Sequence, residues 1–137
     1  MALQMAGPCL QVSINVAKSI SEQLIQTGAT LPQSVQGMGL IDTGASVTCI
    51  DEEAAQSLTL PIIDVVQLTS ASHAKTPANV YPAHIEILGG ANIHFEMPRV
   101  VGANLRAQKL IALIGRDVLS RCTFFYNGIT GEITLSL

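Results

Sequence analysis

Apolar and polar residues alternate with a period of two along much of the chain. Leu10, Val12, Ile14 and Val16 are separated by Gln11, Ser13 and Asn15, and Ile93, Phe95 and Met97 by His94 and Glu96. Ile133, Leu135 and Leu137 are separated by Thr134 and Ser136. Successive side chains of a strand point to opposite faces, so each stretch predicts a strand with one buried face. Less regular apolar stretches predict strands at 37–41, 47–50, 62–70, 80–88 and 109–114. Phe124 and Phe125 predict another, ending at the turn signal Asn127-Gly128.

Helical signals are short. Asp51 is an N-cap residue type, and Glu52 and Glu53 put negative charge in the first turn of a helix reaching about Leu58, before Pro61. Ser19 and Glu22 have the spacing of a capping box, with Gly28 placed to end that helix; the same segment also reads as a long polar loop. A last short helix is expected after Gly115, over 117–121. The pattern predicts one all-β domain with short helices, spanning residues 1–137 and free of internal repeats.

One register can be argued. A three-residue loop at Leu88-Gly89-Gly90 sets Ile85 opposite Ile93, Ala83 opposite Phe95 and His84 opposite His94. Two facing imidazoles can ligate a metal, but a solvated polar strand face is the simpler reading, and neither a metal nor another cofactor is expected.

Composition narrows the function. Charged residues make up 12% of the chain, against about 25% in an ordinary domain. Seven Lys and Arg and a net charge of −3 leave no basic stripe, so no nucleic-acid partner is expected. The longest aliphatic run, Leu110–Ile114, is far short of the ~20 residues of a membrane span, so no membrane partner is expected either. The N-terminus lacks a basic region and a long apolar core, which argues against a secretory signal. Three cysteines without a CxxC pattern predict buried free thiols in a reducing compartment. The location expected is cytoplasmic, although release from a larger precursor would leave the same sequence. A chain that is 48% apolar and poor in charge is expected to bury part of its surface against another chain.

The chemistry concentrates in Gly39-Leu40-Ile41-Asp42-Thr43-Gly44-Ala45-Ser46, where an apolar strand runs into a carboxylate and continues apolar at Val47, Cys49 and Ile50. An unpaired charge is costly in such surroundings, and Gly44 permits close backbone approach or a positive φ. The same tripeptide also forms ordinary β-turns. Further on, Leu110-Ile111-Ala112-Leu113-Ile114 runs into Gly115-Arg116-Asp117.

Together these segments resemble the retroviral-type, retropepsin-like aspartic proteases, in which an apolar strand enters Asp-Thr-Gly-Ala, a flap hairpin follows, and a second apolar strand enters Gly-Arg-Asn or Gly-Arg-Asp. Cys122-Thr123 follows the second helix much as in the viral enzymes, and the resemblance covers about residues 36–126. It implies a closed, orthogonal β-barrel, one lobe per chain, active as a homodimer. Asp42 would be the catalytic aspartate, Thr43 a hydroxyl gripping the partner subunit, and Gly44 a backbone acceptor for substrate. Ala45 and Ser46 would line the floor, Ser72 and His73 would reach substrate from the flap, and Gly115, Arg116 and Asp117 would be structural.

The resemblance also implies a reaction that one carboxylate cannot perform. Amide hydrolysis without a covalent intermediate needs one group to deprotonate water and another to protonate the carbonyl oxygen. Only one Asp-Thr-Gly is present, so the second carboxylate is expected from a second copy. The expected activity is an aspartic endopeptidase acting on extended, apolar peptide or protein substrates. Pepsin-like enzymes have Ser at the position of Ala45; without that hydroxyl donor, activity is expected into mildly acidic or near-neutral pH.

The chain departs from the viral pattern in three places. The flap stretch, about 69–80, has no glycine, Ser46 stands where viral enzymes carry an acid, and the chain continues past Cys-Thr to Leu137. Arg116 therefore needs a different partner: Asp117, Asp51 or a backbone carbonyl. The stretch 10–16 reads either as a dimer strand or as a self-cleavage region. A retropepsin-like dimerisation or peptide-binding module with weak or lost catalysis is the competing reading. A dUTPase-like barrel fits less well, because Ala45 stands where those enzymes have Tyr and no glycine-rich phosphate loop is present.

Overall fold

A computed structural model of the chain describes residues 7–69, 74–89 and 92–137. The alternating stretches form β1 (Cys9–Asn15), β2 (Val35–Ile41), β3 (Cys49–Asp51), β4 (Asp64–Thr69), β5 (Lys75–Ile87), β6 (Ile93–Ala103), β7 (Ala112–Ile114), β8 (Thr123–Tyr126) and β9 (Ile133–Ser136). Short helices occupy α1 (Lys18–Gln26), α2 (Glu52–Ser57) and α3 (Arg116–Leu119), with a 3-10 turn at Arg106–Gln108.

The main sheet runs β1-β2-β7-β3-β6-β5-β4, and β1 also pairs with β5. That extra pairing closes six strands into a barrel, which removes their free edges. Strand β4 stands outside the closure and, among the described residues, pairs with the first half of β5, from Asp64↔Val80 to Thr69↔Lys75. The inward residues of the alternating strands, among them Val12, Ile14, Ile85, Phe95 and Met97, fill the barrel together with Ala54, Ala55 and Val118 from the helices. A second, small cluster of Ala78, Val80 and Val101 packs with Val66 and Cys49 at the base of the β4–β5 hairpin. Strands β8 and β9 form a separate pair. An isolated two-stranded hairpin is marginal in water; here Phe124 and Leu135 dock it on the barrel core.

Several expectations change. The β5–β6 pairing sets Ile87 opposite Ile93, Ile85 opposite Phe95 and His84 opposite Glu96, a slip of two from the expected register. The connection is longer than the glycines suggested, and a slip of two keeps every side chain on its expected face. His84 and His94 are therefore diagonal rather than opposite, yet their Nε2 and Nδ1 atoms lie 2.9 Å apart. The Ser19–Glu22 capping box does not form: α1 begins one residue before Ser19 with no local side-chain cap. Its first amide is capped from afar, as Lys18 N–H donates to the Glu96 carboxylate at 2.8 Å. Gly28 does end the helix, at φ +73. The strand expected at 109–114 shrinks to Ala112–Ile114 because Lys109 adopts a left-handed conformation closing the 3-10 turn. Cysteines expected to be buried are half-buried; burial still pushes the Cys9 and Cys122 thiols upward. No helix among the described residues is long and apolar enough to cross a membrane.

Candidate active site

Strands β2 and β7 lie parallel, with Ile41 beside Ile114. Both end at the same level, so the two motif segments leave the barrel side by side. Asp42 N–H donates to the Ile114 carbonyl at 2.9 Å, which extends the parallel ladder by one rung and fixes where the carboxylate leaves the sheet. The Asp42 side chain then turns back over its own loop, and Gly44 N–H donates to Oδ1 at 3.0 Å. Ala45 N–H donates to the Asp42 carbonyl at 3.2 Å and completes a tight turn. Of the two roles open to Gly44, close approach applies: a Cβ there would sit 3.3 Å from Asp42 Oδ1. Asp42 is half-buried, while Thr43, Gly44 and Ser46 face solvent.

The second motif clamps this turn. Arg116 N–H donates to the Ala45 carbonyl at 2.8 Å, and the Arg116 guanidinium donates to the Thr43 carbonyl at 2.9 Å. Among the three partners open to Arg116, the backbone carbonyl is the one it takes. Gly115 lies against the returning chain so closely that a Cβ would fall 2.6 Å from the Val47 carbonyl carbon and oxygen. Its φ of −92° is available to any residue, so the requirement for glycine is one of space.

Thr48 joins the two segments and was not singled out by the sequence reading. It is fully buried; its hydroxyl donates to Asp117 Oδ1 at 2.7 Å and accepts from Gly115 N–H at 3.1 Å. Thr48 N–H donates to the other Asp117 oxygen at 3.0 Å. The only local signal is a hydroxyl residue inside the apolar run Val47–Ile50, because the partner lies 69 residues away. Asp51 has a role beyond capping α2. Its carboxylate is 1% exposed and accepts from Ala54 N–H, Leu105 N–H and the Arg106 guanidinium. Cys49 completes the neighbourhood: burial pushes its thiol up, and the negative charges of Asp117 and Asp42 add to that.

Gly115, Arg116 and Asp117 thus hold the Asp42 turn and Thr48 in place through these contacts. Ser72 and His73, expected to reach substrate, lie outside the described residues. Asn92, Glu86, His94, His84 and Glu96 form a continuous polar ribbon on the outer face of β5 and β6. Among the described residues no group of three or more His, Cys, Asp or Glu could hold a metal ion.

A closed six-stranded barrel whose two parallel strand ends present Asp-Thr-Gly and Gly-Arg-Asp side by side is a retropepsin-like fold. The family model described as "gag-polyprotein putative aspartyl protease" matches residues 33–121, well over half of the chain, and the chain belongs to that family. No curated protein matches it.

Proposed function

We propose that this protein is an aspartic endopeptidase, active as a homodimer in which each subunit supplies Asp42. The observation that carries the reading is the Asp42 turn itself: a carboxylate at a strand end, held by Gly44 N–H and clamped by Arg116. Such a turn fixes the carboxylate while leaving it open on one side, the requirement for a group that must meet both substrate and a second carboxylate. Two carboxyls about 3 Å apart share one proton, since both cannot ionise together. The ionised Asp42 takes a proton from water as the oxygen attacks the peptide carbonyl carbon, and the protonated Asp42 gives its proton to the carbonyl oxygen. The tetrahedral diol collapses with cleavage of the C–N bond: the leaving nitrogen accepts the proton that the first carboxyl took, and one diol hydroxyl returns its proton to the second carboxylate, which restores the singly protonated pair. The Gly44 backbone accepts from an extended, apolar peptide or protein, and Ala45 and Ser46 line the floor beside it. No metal or organic cofactor takes part in these steps.

The test is cleavage of a diverse peptide mixture across roughly pH 3–8, the span of a shared-proton pair, by wild type and Asp42→Asn at high protein concentration. Cleavage by wild type alone is the expected result. Absence of cleavage by either protein, with dimers seen in sedimentation, would instead favour a peptide-binding module, the reading to which the glycine-free sequence 70–77 lends weight.

A further inference from the structure

Strand β5 is 13 residues long and does two jobs. Its second half, through Ile87, closes the barrel against β1, and its first half forms the hairpin with β4. Pairing with β6 is irregular between Tyr81 and Ala83, so the strand changes course where the hairpin leaves the barrel. Tyr81 sits at that point, 2% exposed. Its hydroxyl donates to the Glu52 carboxylate and accepts from the Asn79 side chain at 3.3 Å. Burial, and after it the Glu52 contact, pushes the Tyr81 phenol upward. Glu52 opens α2, directly after β3. Gly102 of β6 makes the contact possible, because a Cβ there would collide with the Glu52 carboxylate.

Packing between hairpin and α2 is otherwise thin. A cleft of about 440 Å³ lies between them, lined by Glu52, Gln56, Leu68, Thr76, Asn79 and Asn104. The hairpin's own small cluster holds its base through Val66 and Cys49, and the cleft runs beside the strands above that base. At about 3.3 Å per residue, the six steps from Tyr81 to Lys75 make a lever of roughly 20 Å. A small rotation at Tyr81 is thereby magnified along the described strands.

We propose that the hydrogen bond from Tyr81 to Glu52 fixes the angle between the β4–β5 hairpin and α2, which makes both residues positioning residues for an extended substrate. The inference rests on the protease reading above. Tyr81→Phe keeps the buried ring and removes the donor. Glu52→Ala removes the acceptor, and Glu52→Gln keeps an acceptor oxygen without the charge.

The experiment combines amide hydrogen exchange with steady-state peptide cleavage on all three variants and the wild type. Tyr81→Phe and Glu52→Ala are expected to speed exchange in 64–69 and 75–80 at least tenfold while leaving β1 and β7 amides unchanged. They are expected to raise KM about tenfold with kcat within threefold, and Glu52→Gln is expected to stay within threefold of wild type on both measures. Unchanged hairpin exchange in a folded Tyr81→Phe protein overturns the proposal. So does faster exchange spread evenly over the barrel, which would mark a bond that only stabilises the fold. If wild type cleaves nothing, the protease reading fails while the exchange data still decide whether the anchor sets the hairpin.

Discussion

Replacing Thr48 by Val tests whether the buried hydroxyl joins the two motif segments. Valine has the shape of threonine, so no cavity opens and the change isolates two hydrogen bonds. One is donated to a charged acceptor at 2.7 Å, a type worth about 1.5–3 kcal/mol. The other leaves Gly115 N–H, bonded to Thr48 Oγ1 at 3.1 Å, without an acceptor in a site closed to water, at a cost of about 1–3 kcal/mol. Asp117 is not stranded, because it keeps Thr48 N–H at 3.0 Å and Val118 N–H at 2.9 Å. That retained pair holds the total to roughly 3 kcal/mol, near the low end of the sum, or about 10 °C in Tm for a chain of this size. The assay is urea denaturation in the Asp42→Asn background, which guards against self-cleavage under the proposed function, at one fixed protein concentration so that association contributes equally. Asp117→Asn and the double variant complete a cycle whose coupling is expected to exceed about 1 kcal/mol. A Thr48→Val protein within about 0.5 kcal/mol of its parent, or strictly additive variants, would refute the argument.

Three further outcomes are expected. Gly115→Ala drives a methyl into the Val47 carbonyl at 2.6 Å; it should cost about 1–3 kcal/mol or more in denaturation and lower cleavage by displacing the Asp42 turn. Asp51→Ala leaves Ala54 N–H and Leu105 N–H without their buried acceptor while Arg106 keeps Glu53, and a loss of about 1–3 kcal/mol for each stranded amide should appear in the same assay. Arg99 bonds Asp64 at 2.9 Å and holds its carboxyl below the ordinary value. A carboxyl lowered by folding adds stability above its unfolded pKa, near 4, and that contribution fades as pH falls through the lower folded value. Arg99→Ala should therefore move the Asp64 inflection, followed by carboxyl NMR, up toward about 4; an unmoved inflection would count against the pairing.

The strands could be read because period-two alternation is a local consequence of burying one face. The same locality explains what was lost. The β5–β6 register slipped by two because pairing, not the glycines of 88–90, sets the length of the connection, yet facing survived because the slip was even. The start of α1 was misplaced because its cap is Glu96, 78 residues away in sequence. Asp42 was legible as a candidate site because a carboxylate, a hydroxyl and a glycine between apolar runs form an uncommon local pattern. Thr48 and the Tyr81–Glu52 pair were not, because a buried threonine or tyrosine looks in sequence like any other strand residue.

By itself, then, the sequence determined most of the strands, the faces they bury and the two candidate motif segments, since all of these follow from neighbouring residues. Only the tertiary structure decided that β2 and β7 end side by side, that Arg116 grips the Thr43 carbonyl, and that Asp117 meets Thr48. Each of these joins residues about seventy positions apart, and closing such loops is favourable only once the whole barrel forms around them.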